Sequence, residues 1–332
     1  MTLSRAWGYA FRCGPRLVAI AAAAGLTVPL AAQQPQTGSV AAIPVAERDL
    51  PTIVADRPVV VPGVSTALEG PVYLPNGDLL FSDVRGGRVL RLDREGRITT
   101  AATLPGLQPA GLAIGPDGRL YVAATSAPGR GSIVSITMDG RDQRTLVPEA
   151  AAFSPNDLVF DARGGFYFTD ARGSIGETSG GVWYVAPGGK PTPVVQRLAV
   201  ANGVALAPDG KRLWVGEFAL GRLYRVDLEG ATRAAPFGAT TAYHFVGPAP
   251  DSMRTDLQGR VYVALNRQGR ILIFSPLGIP VGQIVLPGRD VGRNLGVTSL
   301  AIRSDTGEIA IVTSDGEPGG RSTVFRAHVP RS

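Results

Sequence analysis

A hairpin unit recurs six times along this chain of 332 residues and constrains its fold more than any other feature. Each unit has a turn glycine with an apolar, strand-like run on either side, and in three units the turn is Asn-Gly or Asp-Gly. Those dipeptides between apolar runs are the strongest short signal for a β-hairpin. Successive turn glycines are 41, 46, 46, 49 and 48 residues apart. The six are Gly77, Gly118, Gly164, Gly210, Gly259 and Gly307.

The period of these units indicates a circular all-β architecture. A further apolar run follows each hairpin, and long amphipathic helical patterns are absent. A unit of about 40 to 50 residues with three or four strands, repeated six times, is typical of a β-propeller blade. A large β-sandwich is the alternative, but a sandwich does not repeat its sequence at a fixed period. The sequence therefore predicts a six-bladed β-propeller over residues 58–330, with Pro58–Val64 as the outer strand that completes the last blade and closes the ring.

The first 32 residues have the pattern of a secretory signal peptide. Arg5, Arg12 and Arg16 form a basic start, and the apolar stretch Leu17–Ala32 ends in small residues. A membrane anchor is the alternative, but a stretch of 16 residues that contains Gly and Pro is short for a span. We expect cleavage near Ala32, a Pro/Gln-rich spacer over residues 33–57, and a periplasmic or secreted protein that is free of the membrane after cleavage.

Charge and cysteine content exclude several classes of function. Loss of residues 1–32 lowers the net charge from +6 to +3, because this segment contains three Arg and no acidic residue. No basic stretch interleaved with aromatic residues is present, so nucleic-acid binding is not expected. The only cysteine, Cys13, lies in the signal segment, which leaves the mature chain no disulfide, no thiol nucleophile and no cysteine metal site.

One position of the repeat unit carries an unusual share of polar residues. It lies eight residues before each turn glycine, where the first strand of each unit begins. The first strand of a propeller blade is the innermost, so the six equivalent residues are expected to form a ring around the central channel. We call them the ring residues, and they are Glu69, Ala110, Asn156, Asn202, Asp251 and Ser299.

Four of the ring residues offer carboxylate or amide oxygens, which indicates a site for a hard cation. Oxygen ligands without His or Cys favour Ca²⁺, with Mg²⁺ or Mn²⁺ also possible. Without a cation, Glu69 and Asp251 would repel and raise each other's pKa. Asp157 and Ser252, each directly after a ring residue, add polar groups beside the ring. The alternative is that Asn and Asp merely cap strand entries, but four at one offset are hard to obtain by chance.

Four stretches resemble the gluconolactonase / senescence-marker-protein / luciferin-regenerating-enzyme-like family. The resemblance covers Leu68 to about Arg326, and Gln268–Asp290 is most similar to the drug-responsive lactonase branch. It implies a calcium-dependent six-bladed propeller that hydrolyses lactones, and some relatives act on organophosphates. The four stretches are EGPVYLPNGDLLFSD (69–83), PNDLVFDARGGFYFTD (155–170), ANGVALAPDGKRLWV (201–215) and PDSMRTDLQGRVYVA (250–264).

The resemblance also implies roles for individual residues. The family's metal-binding Glu, Asn and Asp fall on Glu69, Asn202 and Asp251, and Ser252 follows that Asp as in the drug-responsive branch. The acidic residue that this branch uses near the metal falls at Asn156-Asp157, where the first residue is Asn, as in gluconolactonases. That branch also has a second, structural calcium, but the corresponding region, residues 127–153, is poor in acids and is not expected to bind one.

A catalytic hypothesis follows from these assignments. A divalent ion can polarise a lactone carbonyl and activate water, and a carboxylate base would assist because Ca²⁺ acidifies water weakly. Asp157 and Asp251 are the candidate bases, with Asp157 favoured because a metal-bound Asp is a poorer base. Asn156 is expected to bind the metal and to position the substrate oxygen. His244, in the segment before Asp251, is predicted to contact the substrate.

Two other functions stay open at this point. No Gly-x-Ser-x-Gly elbow, His-Glu-x-x-His motif or Walker loop is present. A non-catalytic propeller that binds a sugar or a protein is one alternative, although such a scaffold has no need of two acidic residues on its axis. Hydrolysis of phosphotriesters at the same site is the other. We therefore expect a small-molecule lactone or ester as the substrate.

Overall fold

The computed structural model describes residues 42–64, 67–247, 250–314 and 321–329. The strands form six antiparallel sheets of four strands each, and one sheet gains a fifth strand that pairs in parallel. The predicted signal peptide lies outside the described residues. No helix within the described ranges is long and apolar enough to cross a membrane.

The first three blades follow one another along the chain, and each runs from its inner to its outer strand. Their strands are β3 (Leu68–Tyr73), β4 (Leu79–Asp83), β5 (Arg88–Leu92) and β6 (Ile98–Thr103) in blade one, β7 (Gln108–Ile114), β8 (Leu120–Ala127), β9 (Arg130–Ile136) and β10 (Arg144–Val147) in blade two, and β11 (Pro155–Phe160), β12 (Phe166–Asp170), β13 (Gly180–Val185) and β14 (Thr192–Leu198) in blade three.

The last three blades include the two N-terminal strands. Their strands are β15 (Ala201–Leu206), β16 (Arg212–Glu217), β17 (Arg222–Gly230) and β18 (Arg233–His244) in blade four, β19 (Pro250–Thr255), β20 (Val261–Leu265), β21 (Arg270–Phe274), β22 (Pro280–Val285) and β1 (Thr52–Val54) in blade five, and β23 (Gly296–Arg303), β24 (Glu308–Ser314), β25 (Ser322–His328) and β2 (Asp56–Val60) in blade six. Short 3₁₀ helices span Val45–Glu47, Glu149–Ala151 and Arg289–Val291.

The inner strands of the six blades form a closed ring. Each inner strand contacts the next in chain order, from β3 through β7, β11, β15, β19 and β23 and back to β3. The strand β2, which overlaps the predicted closing segment, pairs with β25 as the outer strand of blade six. All six turn glycines have positive φ, from 68° at Gly210 to 91° at Gly77, as tight hairpin turns require. The predicted six-bladed propeller is confirmed.

Apolar side chains fill the spaces between neighbouring blades. Trp214 of blade four is fully buried against Met253 and Val263 of blade five, in a cluster that includes both sheets. Side chains of successive residues in a strand point to opposite faces, so each sheet presents one apolar face to each neighbour. This packing fixes the inner strands, and with them the ring residues, around the axis.

The chain ahead of β2 packs against blade five. Residues Val45–Val60, which we call the N-terminal strap, include the first 3₁₀ helix, β1 and β2. Glu47 is 1% exposed and pairs with the buried Arg270 of β21, while β1 runs parallel to β22. The segment expected to be a spacer, 33–57, therefore contributes buried residues to the packing of the propeller, among them Glu47 and Ala55.

Candidate functional site

Every inner strand loses its regular pairing at its ring residue or directly beside it. In blades two to five the break leaves the ring residue and the residue after it without a register partner on the second strand. Blade one breaks its register directly after Glu69, and blade six does so just before Ser299. Irregularities of this kind re-aim side chains and recur next to active sites. The ring position thus coincides with a break in regular strand pairing in all six blades.

Glycines after the ring residues let the inner strands approach closely. A Cβ added to Gly70 would lie 2.3 Å from the Ala110 carbonyl oxygen, and one added to Gly203 would lie 2.5 Å from that of Asp251. Hydroxyl groups link neighbouring blades at the same level, since the Ser82 hydroxyl donates to the Ala110 carbonyl at 2.8 Å. The ring is therefore narrow and held by backbone contacts.

The ring residues are mostly withdrawn from solvent. Glu69, Asn202 and Asp251 are buried, Ser299 is fully buried, and Asn156 is half-buried. Three of their side-chain oxygens have no hydrogen-bond partner among the described residues: Asn202 Oδ1, Asp251 Oδ1 and Ser299 Oγ. They come from blades four, five and six, at equivalent positions. Buried polar atoms are nearly always satisfied, so three orphan oxygens facing one channel fit a hard cation.

The two ring carboxylates have raised pKa values. Burial is the main cause at Glu69, and the nearby charges of Asp251 and Asp157 raise its pKa further. Burial likewise raises the pKa of Asp251 to about 7, although the hydrogen bond from Asn266 opposes the shift. Because the charge of Asp251 raises the pKa of Glu69, these two carboxyls lie within electrostatic reach of each other. A divalent cation between them would offset this repulsion.

Asp157 is not free beside the ring but is held in an ion pair. Its side chain is fully buried, and Arg254 donates from Nη1 to Oδ2 at 2.8 Å and from Nη2 to Oδ1 at 3.2 Å. The backbone N–H of Leu158 also donates to Oδ1 at 2.9 Å. Two carboxylate oxygens occupied in this way are poorly placed to accept a substrate proton. The geometry therefore favours Asp251 over Asp157 as the proton acceptor, opposite to the preference from the sequence.

Two residues that sequence reasoning missed act directly on the ring. Arg254 lies three residues after Asp251 on the same strand, and its charge lowers the pKa of Glu69. Asn266, just after β20, donates from Nδ2 to Asp251 Oδ2 at 2.7 Å. Neither residue occupies the repeat position that revealed the ring, so the alignment of the repeats gave no signal for them.

The remaining predicted site residues lie at different distances from the ring. Ser252 is 1% exposed, directly after Asp251, and its backbone N–H helps to lower the pKa of that carboxylate. His244 is exposed at the end of β18, the outermost strand of blade four, opposite Arg222. Three strand spacings separate it from the strand of Asn202, or roughly 14 Å. Its contact with substrate stays a prediction.

The family model described as the SMP-30/Gluconolactonase/LRE-like region matches residues 68–295. The chain belongs to this family. The match includes Glu69, Asn156, Asn202 and Asp251, and it confirms the family that the sequence motifs indicated.

Curated relatives within the family include lactonases. The chain is 39% identical over 304 residues to lactonase drp35 of Staphylococcus saprophyticus, covering 90% of this chain and 94% of the relative. It is 38% identical over 292 residues to lactonase drp35 of Staphylococcus aureus strain MW2, covering 86% and 90% of the two chains. Both relatives match across the propeller rather than in one motif.

Solved structures share the fold at low sequence identity. A calcium-binding regucalcin from Agrobacterium tumefaciens superposes with a TM-score of 0.67 at 16% identity, covering 84% of this chain and 97% of that one. Within the described ranges, no group of three or more His, Cys, Asp or Glu is arranged to hold a metal ion. Any cation in the ring would thus rely on amide and hydroxyl oxygens as well as on Glu69 and Asp251.

Proposed function

We propose that the protein is a calcium-dependent hydrolase of lactones, with its active site in the ring. The observation that carries the proposal is the set of three buried oxygens without partners, on Asn202, Asp251 and Ser299, next to the carboxylate of Glu69. Its support outside the ring is the similarity to lactonases over about nine-tenths of the chain.

The residues that would hold the ion are Glu69, Asn156, Asn202 and Asp251, with Ser252 beside them. Oxygen ligands of this kind and a charge of −2 from two carboxylates suit Ca²⁺, and Mg²⁺ or Mn²⁺ are the alternatives. When bound, such an ion polarises the carbonyl of an ester and acidifies a water molecule. The raised pKa values of Glu69 and Asp251 mean that both carboxyls resist ionisation until a cation compensates them.

The protein's own groups would then orient the substrate and move a proton. Asn156 is half-buried at the channel and can direct its amide towards the lactone oxygen. Asp251 is the candidate acceptor for the proton of the attacking water, and Asn266 orients its carboxyl by donating to Oδ2 at 2.7 Å. Without a cation, burial raises the pKa of Asp251 to about 7, and a bound cation lowers it from that value because it favours the ionised carboxylate.

The loops on the same rim as the ring would set substrate preference. Residues 171–180 join β12 to β13, and the segment after β18 leads into β19. Ile175 in the first loop and Val246 in the second expose large apolar side chains. We propose that these loops contact the substituents of the lactone, and that the protein acts after export to the periplasm or the medium.

A metal and substrate test decides the proposal. Purified protein is analysed for bound metal and assayed by pH-stat on a panel of lactones, aryl esters and phosphotriesters, with and without added Ca²⁺. We expect Glu69→Gln and Asp251→Asn to lose Ca²⁺ binding and lactone hydrolysis together, whereas Asp139→Asn, at an exposed carboxylate, keeps both. A wild type that binds no divalent ion and hydrolyses nothing would favour the non-catalytic alternative. Activity on phosphotriesters alone would favour that substrate class.

A further inference from the structure

An ion pair joins two blades that are not neighbours. Asp157 belongs to β11 of blade three and Arg254 to β19 of blade five, and the inner strand of blade four lies between them. Both nitrogen-to-oxygen contacts are short, at 2.8 and 3.2 Å, and the side chains are 0% and 19% exposed. Most other ion pairs of the described residues join positions within one blade or one turn. This pair instead joins the strands of two proposed metal ligands, Asn156 and Asp251.

The charges around the ring depend on this pair. Three carboxylates lie within electrostatic reach of one another, on Glu69, Asp157 and Asp251. Taken alone they would give the ring a charge of −3. Arg254 is permanently charged and binds Asp157 through two nitrogens, so the net charge becomes −2. The two carboxylates that remain unpaired are those at the ring positions themselves.

Arg254 is anchored so that it stays on Asp157. Its Nη1 also donates to the Met253 carbonyl at 2.7 Å, which folds the side chain back along its own strand. Asp157 is fixed independently, because the Leu158 N–H donates to Oδ1 and its own backbone N–H donates to the Thr169 hydroxyl at 3.0 Å. The guanidinium and the Leu158 N–H thus occupy both carboxylate oxygens of Asp157.

We propose that Arg254 is a positioning residue that matches the ring to a single divalent cation by neutralising Asp157. The inference rests on the proposed function, since it requires a cation in the ring. Without Arg254, Asp157 adds a third negative charge and a further oxygen ligand, which favours tighter binding of divalent ions and, more strongly, of trivalent ions. Without Asp157, the uncompensated Arg254 charge opposes every cation.

The test removes the Arg254 charge, the Asp157 charge, or both, and measures the affinity of each variant for metal ions. Dissociation constants for Ca²⁺ and Tb³⁺ are measured by calorimetry at pH 8.5, so that protons compete little with the metal. Arg254→Met is expected to bind Ca²⁺ roughly fivefold more tightly and Tb³⁺ roughly tenfold more tightly. These factors correspond to removing the repulsion between one positive charge and the ion through water, which grows with the charge of the ion. Asp157→Asn is expected to weaken Ca²⁺ binding by a similar factor. The double variant, which removes both charges, returns to within about twofold of wild type.

Two control variants separate the effect of the Arg254 charge on Ca²⁺ affinity from the effect of breaking any partly buried ion pair. Arg254→Lys keeps the charge and is expected to keep the Ca²⁺ affinity. Arg260 pairs with Asp256 in the turn that follows the same strand, and its side chain is 21% exposed, close to the 19% of Arg254. Arg260→Met is therefore expected to leave Ca²⁺ affinity unchanged. Circular dichroism and gel filtration check that each variant is folded.

The outcomes distinguish this inference from the proposed function. If wild type binds Ca²⁺ while Arg254→Met and Asp157→Asn bind it equally well, the charge-matching role is overturned and the metal site stands. If both single variants weaken binding, Arg254 holds the ligands in place without setting their charge, which also overturns the inference. If wild type binds neither ion, the proposed metal site fails and this inference fails with it. Should Arg254→Met not fold, the Asp157→Asn and double variants still decide the question.

Discussion

Glu47 and Arg270 form an ion pair that is almost completely buried, with 2% and 1% of their side chains exposed. Glu47 lies in the N-terminal strap, and Arg270 begins the third strand of blade five. Gln268 and Gln283 contribute their side-chain oxygens to the same guanidinium, at 3.0 and 3.1 Å. The strap is thus joined to the propeller by a buried charge as well as by the strand pairing of β1.

Breaking this ion pair is expected to destabilise the whole domain. Glu47→Gln leaves the Arg270 guanidinium buried without its counter-charge, and removal of one partner of a buried pair costs about 3–5 kcal/mol. The free energy of unfolding from urea titrations measures the loss. Glu149→Gln, which removes an exposed pair with Arg130 at 4.0 Å, serves as the control and is expected to cost less than about 1 kcal/mol. Equal losses in the two variants would show that the strap does not stabilise the propeller.

The close approach of blades one and two predicts a specific sensitivity at Gly70. Gly70 has φ +52°, and an added Cβ would lie 2.3 Å from the Ala110 carbonyl oxygen. We expect Gly70→Ala to lose about 2–4 kcal/mol of unfolding free energy and to weaken Ca²⁺ binding, because it displaces the neighbouring Glu69. Gly96 has φ +87° and open space around it, so Gly96→Ala measures the conformational strain alone, about 1 kcal/mol. A Gly70 variant no worse than this control would contradict the predicted clash.

The sequence was most informative where the repeat itself carried the signal. The turn glycines predicted the hairpins, and a fixed offset from them predicted that Glu69 and Asp251 lie on one ring. In the structure the charge of Asp251 raises the pKa of Glu69. The ring position also marks the local break in strand pairing in each blade, a feature that composition alone does not reveal. Periodic features were therefore predictable.

Contacts between different parts of the repeat were not predictable in the same way. The sequence favours Asp157 as the base because a metal-bound Asp is a poorer one, yet Arg254 reaches Asp157 from 97 residues further along the chain. Glu47 lies in a segment without strand periodicity, and only the folded chain brings it to Arg270. Such pairings depend on the ring closing, and one sequence without its relatives carries no local trace of them.

The hydrogen bond from Asn266 predicts a shift in the pH profile of hydrolysis. This amide lowers the pKa of Asp251, which burial raises to about 7. Asn266→Ala is therefore expected to raise that pKa further and to move the acidic limb of kcat/KM upward by about half to one pH unit, the equivalent of one hydrogen bond. Asn76→Ala, which removes a similar bond to Asp78 far from the ring at 2.9 Å, is expected to leave the profile unchanged. An unshifted limb in the Asn266 variant would exclude Asp251 as the titrating group.

The raised pKa values of the ring carboxyls predict that calcium stabilises the protein more at higher pH. In the metal-free protein the ionised forms of Glu69 and Asp251 are disfavoured, so their destabilising effect is fully present above about pH 7 and is relieved as the pH falls below it. Calcium binds the ionised forms and must displace protons at lower pH. Asp251 alone is expected to weaken Ca²⁺ binding roughly tenfold at pH 6 relative to pH 8. The rise in thermal unfolding midpoint on adding Ca²⁺ is therefore larger at pH 8 than at pH 6. Asp251→Asn, which is expected to lose Ca²⁺ binding, should show little stabilisation by Ca²⁺ at either pH. A wild-type effect of equal size at both pH values would show that these carboxyls do not bind the ion.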